Sequence, residues 1–214
     1  MKKLLLTATL LSIGLTSVPA TADGHGSSLS IGADVVSRYV WRGTDFGDGV
    51  SVQPGISYSM GAIEIGAWSS WGLTSNGANE NDLYVSFAAG PVGITITDYY
   101  FPGYTGSDGF FDFADAHVIE VMGSFEAGSL SLAGAVNVSG DDDNSLWLEA
   151  GMGLGEVGDA DVGLSVGLGN GVYTTDTDPM VASVGLNISQ GDYFASYIIN
   201  PDQETSFLFF GLSF

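Results

Sequence analysis

The chain has 214 residues, with 25 Asp+Glu against 4 Lys+Arg, a formal net charge of −21 and no cysteine. That balance excludes a basic groove for nucleic acid or a cluster for anionic lipid, and it leaves no disulfide framework or thiol chemistry. Hydrophobic residues make up 45% of the sequence and glycines number 32, yet beyond the N-terminal stretch no apolar run approaches the ~18–20 residues a membrane helix needs.

Met1-Lys2-Lys3 is a short basic region, followed by an apolar run over 4–18 and the small-x-small site Ala20-Thr21-Ala22. Residues 1–22 therefore read as a secretory signal peptide, with cleavage before Asp23. Residues 23–27 read as a flexible tail and 28–214 as a single all-β domain. A first strand is expected over 29–42, LSIGADVVSRYVWR. Successive side chains of a strand point to opposite faces. Leu29, Ile31, Ala33, Val35, Tyr39 and Trp41 then share one face, and Asp34, Arg38 and Arg42 the other. With the leader removed, Arg38 and Arg42 are the only Lys or Arg residues left. An apolar outside and a charged inside fit a barrel wall between lipid and a polar lumen.

Further strands are expected over 50–60, 63–73, 82–89, 92–101, 117–126, 130–139, 146–154, 162–169, 181–189, 193–200 and 206–214, with Gly, Asp, Asn and Pro between them. Pro54 removes a ladder donor and implies a local irregularity. Glu64 and Trp68 face inward in the third strand, Asp82 and Tyr84 in the fourth, Glu120 in the sixth, and Trp147 and Glu149 in the eighth. His117 is expected to face outward. Connections after the even strands are mostly short and those after the odd strands longer and acidic, the asymmetry of outer-membrane barrels. The reading is an antiparallel up-and-down transmembrane β-barrel of twelve strands with both termini on the periplasmic side. Ten is the alternative count, because the ninth and eleventh strands are the weakest.

In the last strand Leu208, Phe210, Leu212 and Phe214 alternate with Phe209, Gly211 and Ser213. This resembles the C-terminal aromatic signature by which outer-membrane barrels are received by their assembly machinery. The runs VVSRYVWRG, VQPGISYS, IEIGAWSSWG, ENDLYVSF and TDYYFPGY resemble the TorF-like porin family, conserved hypothetical outer-membrane proteins of proteobacteria. The likeness covers about 33–104, with SRYVWRG its most specific part. It implies an outer-membrane barrel of a Gram-negative bacterium that passes small solutes, and it supplies no catalytic or binding residues. The near absence of Lys and Arg departs from any anion selectivity.

On this topology Arg38 is expected to project across the lumen toward Asp82, Glu120 and Glu149, with Trp68, Tyr84 and Trp147 filling space. Arg42 lies at the outer rim, Asp34 deeper, and Glu64 near the periplasmic end. An arginine fork binds carboxylates bidentately, and burial makes such pairing nearly obligatory. The same network serves either as the constriction of a narrow pore or as the plug of a closed structural or adhesive barrel. Twelve strands lie between filled eight-stranded barrels and open porins, so both readings stay open. In a conducting barrel the surplus carboxylates favour cations. A third reading is a secreted soluble β-protein. Neither His25 nor His117 comes with a supporting nucleophile, so no enzyme is expected. Asp141, Asp142 and Asp143 lack the spacing of a calcium loop and read as a solvated acidic tip, with weak calcium bridging to surface lipid as the alternative; no metal or cofactor is expected. The aromatics Phe101, Tyr104, Phe110, Phe111 and Phe113 read as loop packing or an extension of the aromatic girdle, with a fold into the mouth or a ligand surface as the alternative. The expected partners are outer-membrane lipid, the barrel-assembly machinery and small solutes or cations, with no nucleic acid.

Overall fold

Apolar residues at every second position, bounded by glycine-led turns, form a sheet that closes on itself. The computed structural model describes residues 27–47, 49–74, 79–102, 109–113 and 116–214. The expected signal peptide, tail residues 23–26 with His25, and Tyr104 lie outside the described residues. The strands are β1 (Ser27–Val36), β2 (Val40–Trp41), β3 (Thr44–Asp45), β4 (Ser51–Met60), β5 (Ile63–Gly72), β6 (Glu80–Ala89) and β7 (Val92–Tyr100), then β8 (His117–Ala127), β9 (Leu130–Ser139), β10 (Leu146–Val157), β11 (Ala160–Gly171), β12 (Thr177–Gln190), β13 (Tyr193–Asn200) and β14 (Thr205–Ser213). β2 and β3 pair only with each other. The remaining twelve form a closed antiparallel barrel in which β1 bonds to both β14 and β4. The weakly signalled ninth and eleventh strands are β11 and β13, so the count of twelve holds.

Side chains obey the two-residue period. In β14 Leu208 is 70% and Phe210 65% exposed, while Phe209 between them is fully covered. Leu83, Val85 and Phe87 of β6, and Leu146 and Leu148 of β10, make the same apolar exterior. Their neighbours Asp82, Trp147, Ser183 and Ser196 are buried on the lumen side.

The two ends of the barrel differ. Gly61-Ala62, Gly90-Pro91, Gly128-Ser129, Gly158-Asp159 and Gly191-Asp192 each join consecutive strands directly. All five glycines have φ between 59° and 67°, and their followers do not have positive φ. Glycine at the first central position is the mark of the type II′ hairpin, whose twist matches that of the flanking strands. Ser27 pairs with Met60 and Leu212 with Tyr193, which puts the start of β1 and the end of β14 at this short-turn end. The longer connections gather at the other.

One expected element is wrong in its extent. The first strand ends at Val36 rather than at Arg42. Ser37 makes the last wall contact, its N–H donating to Phe210 O (2.9 Å) and its Oγ accepting from Phe210 N (3.1 Å). The chain then turns into the lumen, where Arg42 and Gly43 connect β2 to β3 with φ of 49° and 80°. Positive φ at both central residues defines a type I′ turn. A Cβ on Gly43 would lie 1.9 Å from the Ala182 carbonyl oxygen, so the hairpin tip seats on β12 only as glycine. Tyr39 and Trp41 were expected to face lipid. Instead Tyr39 is buried against Trp68 and Phe46, and Trp41, half-buried, packs on Tyr99 and Tyr173. The alternation persisted because the hairpin is itself extended; period two reports an extended chain, not which surface the chain belongs to.

Candidate lumenal site

The inward segment 37–46 carries both arginines. Arg38 does not reach across the lumen to Asp82, Glu120 or Glu149; its Nη1 bonds Asp45 at the far end of its own hairpin, and its guanidinium lies 5.6 Å from the Phe207 ring centre. Arg42, expected at the outer rim, takes the central position. Its Nη1 donates to Glu120 Oε2 (2.5 Å) and its Nη2 to Glu120 Oε1 (3.0 Å), a bidentate pair with side chains only 5% and 2% exposed. The rings of Trp41, Tyr173 and Trp147 surround the guanidinium at 4.3, 4.9 and 5.5 Å.

Glu120 sits near the start of β8 on its inward face, and it is held from two further directions. Tyr99 Oη donates to it at 3.2 Å and Tyr173 Oη at 3.3 Å. Burial pushes the Tyr173 phenol up to about 12, so it remains a donor at neutral pH. Asn137 joins through Tyr173 (3.4 Å). Trp147 fills the opposite wall because its neighbours are glycines: a Cβ on Gly167 would meet the indole at 2.1 Å and one on Gly169 at 3.0 Å. Its Nε1 donates to Glu149 Oε2 at 3.3 Å.

A second group lies on β4–β6. Tyr39 of the inward segment donates from Oη to Glu80 Oε2 at 2.8 Å, and Asp82 stands opposite Trp68. Glu80 and Asp82 are 2% and 3% exposed. Towards the short-turn end, Tyr84 Oη donates to Glu64 Oε1 (3.0 Å) and Ser59 Oγ to Glu64 Oε2 (2.7 Å). The Tyr84 ring lies over Gly66. Asp34 is on β1 beside the end of β14.

The structure thus brings Arg42, Glu120, Trp147 and Glu149 together, and it separates Arg38, Asp34 and Glu64 from them. Sequence reasoning missed Glu80, Tyr99, Tyr173 and Asn137. Glu80 shares the parity of Asp82 and Tyr84, a signal lost by starting that strand two residues late. Tyr173 lies in the connection after β11, where no periodicity points. His117 has the outward parity of Ile119 and Val121, but the connection before β8 covers it. It is 1% exposed, with Nδ1 2.7 Å from Asp98 Oδ1 and Nε2 donating to Phe110 O at 2.7 Å. Tyr100 and Phe113 pack on its ring. Leu208, Phe210 and Phe214 are exposed on the outer surface, with Leu212 paired to Val35 at the seam.

A closed up-and-down barrel with an apolar exterior and its charges inside belongs to the class that fits an outer-membrane barrel. A solved structure reported as "Unveiling the Mechanism Behind the in-meso Crystallization of Membrane Proteins" has the same fold, at TM-score 0.52 and 8% identity over 89% of this chain and 83% of that one. The chain belongs to a bacterial protein family of unknown function (Gcw_chp), whose sequence model matches residues 20–207. The family's description mentions neither porins nor TorF. No curated protein matches the chain.

Proposed function

We propose that the protein is an outer-membrane barrel whose lumen is a narrow path for small cations or polar solutes, held shut at its long-loop end by segment 37–46. One observation carries the reading: a guanidinium on an inward-folded hairpin closes onto a wall carboxylate, Arg42 onto Glu120. Further inward carboxylates, Glu80, Asp82 and Glu149, border that closure and favour cations over anions. The signal-peptide pattern and the exposed aromatic end of β14 support the outer membrane of a Gram-negative bacterium, with Leu208, Phe210, Leu212 and Phe214 read by the assembly machinery. The likeness of the first half to TorF-like porins points the same way. We read no catalytic role into the lumen, since His117 lies on the outward face. The packing of Trp147 against Gly167 and Gly169 favours a second reading, a permanently plugged structural barrel.

Planar-bilayer conductance separates the two. Under the pore reading Arg42→Ala raises cation current severalfold over wild type, while Arg38→Ala, whose partner Asp45 is in the same hairpin, changes it little. No current from wild type or from Arg42→Ala would leave the plugged barrel standing.

A further inference from the structure

Among the described residues, Glu80 and Asp82 are the two buried carboxyl groups that no arginine pairs. Both described arginines are bound elsewhere, Arg38 to Asp45 and Arg42 to Glu120. The two acids project inward from β6, one pair step apart on the same face, and their carboxyl groups lie within hydrogen-bonding reach of each other. Two ionised carboxylates cannot hydrogen-bond, so something positive belongs between them. Two further facts bear on what it is. Asp82 Oδ1 has no hydrogen-bond partner although the residue is 3% exposed. Gln53 Oε1, on a residue 2% exposed, is likewise unpartnered. Gln53 bonds Ser70 Oγ at 3.3 Å, and Ser70 faces Glu80 across β5–β6, so the orphaned amide oxygen is on the same row of the wall.

A single shared proton would leave one buried negative charge uncompensated, and a buried charge is strongly disfavoured without a counterion. Protonating both acids would remove the charge and would supply O–H donors; that is the competing account, and it binds no metal. A hard cation answers the charge and the unpartnered oxygens together, because it takes only oxygen ligands and neutralises two carboxylates at once. We propose that Glu80 and Asp82 bind a divalent cation of the calcium type, with Gln53 Oε1 as a third oxygen and Tyr39 closing over the site. Tyr39 Oη donates to Glu80 Oε2, so the bound ion also fastens the inward segment to β6. The inference does not rest on conduction, since a plugged barrel would hold the ion equally.

Terbium is the probe, because it replaces calcium and emits when excited through a nearby aromatic ring. Trp68 is the cross-strand partner of Asp82, and the Tyr39 hydroxyl touches Glu80. Folded wild-type protein in detergent, titrated with Tb³⁺, is expected to show a saturable emission step of one equivalent that Ca²⁺ displaces and K⁺ does not. The Glu80→Gln/Asp82→Asn double variant keeps the volume and removes the charge, so it is expected to lose that step while weaker emission from the acidic loops persists. Circular dichroism and heat-modifiable gel migration confirm that the variant is folded. Should the double variant fail to fold, Asp82→Asn alone, which leaves the Tyr39–Glu80 bond intact, is read by the same criterion. Absence of the step in wild type, or its survival in the folded variants, overturns the site and leaves the two acids sharing protons only.

Discussion

Arg42 and Glu120 offer the sharpest test of whether the outer half of the lumen is dry. Breaking one side of a buried ion pair strands the other charge, which typically costs about 3–5 kcal/mol, whereas removing both charges together is close to neutral. In Arg42→Met, Glu120 stays 2% exposed and keeps only two phenol donors, Tyr99 at 3.2 Å and Tyr173 at 3.3 Å. Those donors place the loss near the lower bound, about 3 kcal/mol. In Glu120→Gln the guanidinium keeps the Tyr173 hydroxyl and the faces of Trp41 and Trp147. Cation–π contacts of roughly 0.5–2 kcal/mol hold that loss to about 3 kcal/mol as well. The double variant should return to within about 1 kcal/mol of wild type, giving a coupling near 5 kcal/mol. Equilibrium urea unfolding from lipid vesicles, followed by tryptophan fluorescence, measures all four corners of the cycle. Single losses under about 1 kcal/mol that simply add would mean a solvated pair, and the lumen would then be open where we have drawn it closed.

Two further expectations concern single positions. Asp141, in the β9–β10 connection, is partly desolvated, which alone would raise its pKa, but bonds from the Ser145 and Asn137 side chains and the Ser145 and Asp143 amides outweigh that and hold its carboxyl below the usual carboxylate range. Its stabilising contribution is therefore complete above the unfolded value of about 3.9 and is lost as pH falls through the lower folded value. Asp141→Asn should accelerate hydrogen exchange at the Ser145 amide at pH 7 and leave it unchanged at acid pH where wild type is also protonated; an equal effect at both would remove the carboxylate from the account. Gly128→Ala and Gly167→Ala separate two reasons for glycine. At Gly128 φ is 63° with nothing within 4 Å of an added Cβ, so the change costs only strain, about 1 kcal/mol. At Gly167 the methyl would meet Trp147 at 2.1 Å, so a larger loss of about 1–3 kcal/mol should come with a shift in tryptophan emission that Gly128→Ala lacks.

Most of the wall was legible because an apolar exterior and a polar inward row leave a two-residue rhythm in every wall strand. Leu208, Phe209 and Phe210 show it within three residues: the outer pair is exposed and the middle one covered. The five short turns were legible for a different reason, since Gly61, Gly90, Gly128, Gly158 and Gly191 each open a hairpin at positive φ. What failed was the run after Val36. Its sequence, SRYVWR, keeps the alternation of a wall strand, and nothing in that rhythm records that the neighbour on one side has been exchanged. The local clue was chemical. Arg42-Gly43 is a two-residue turn with positive φ at both positions, a conformation that arginine adopts only when its surroundings over-determine it. Here those surroundings are Glu120, Tyr173, Trp41 and Trp147, from four separate stretches of the chain.

That dependence explains why the site was harder to read than the fold. A strand's face is set by its immediate neighbours, so local sequence predicts it. A lumenal ion pair is set by which segment leaves the wall, and that is a competition between two placements of the same extended chain. Left in the wall, 37–42 would present Tyr39 and Trp41 on the outer surface and continue the ladder with β14. Folded inward, it gives up ladder bonds along the upper part of β14 and gains partners for three groups that need them. Arg42 meets Glu120, Glu80 receives the Tyr39 hydroxyl, and the Asn200 side chain finds the Gly43 carbonyl at 3.0 Å. Buried polar groups are worth far more satisfied than orphaned, whereas an aromatic ring gains apolar surroundings on either side of the wall. The wall carboxylate therefore draws the arginine in, and the aromatics follow because they are on the same six residues.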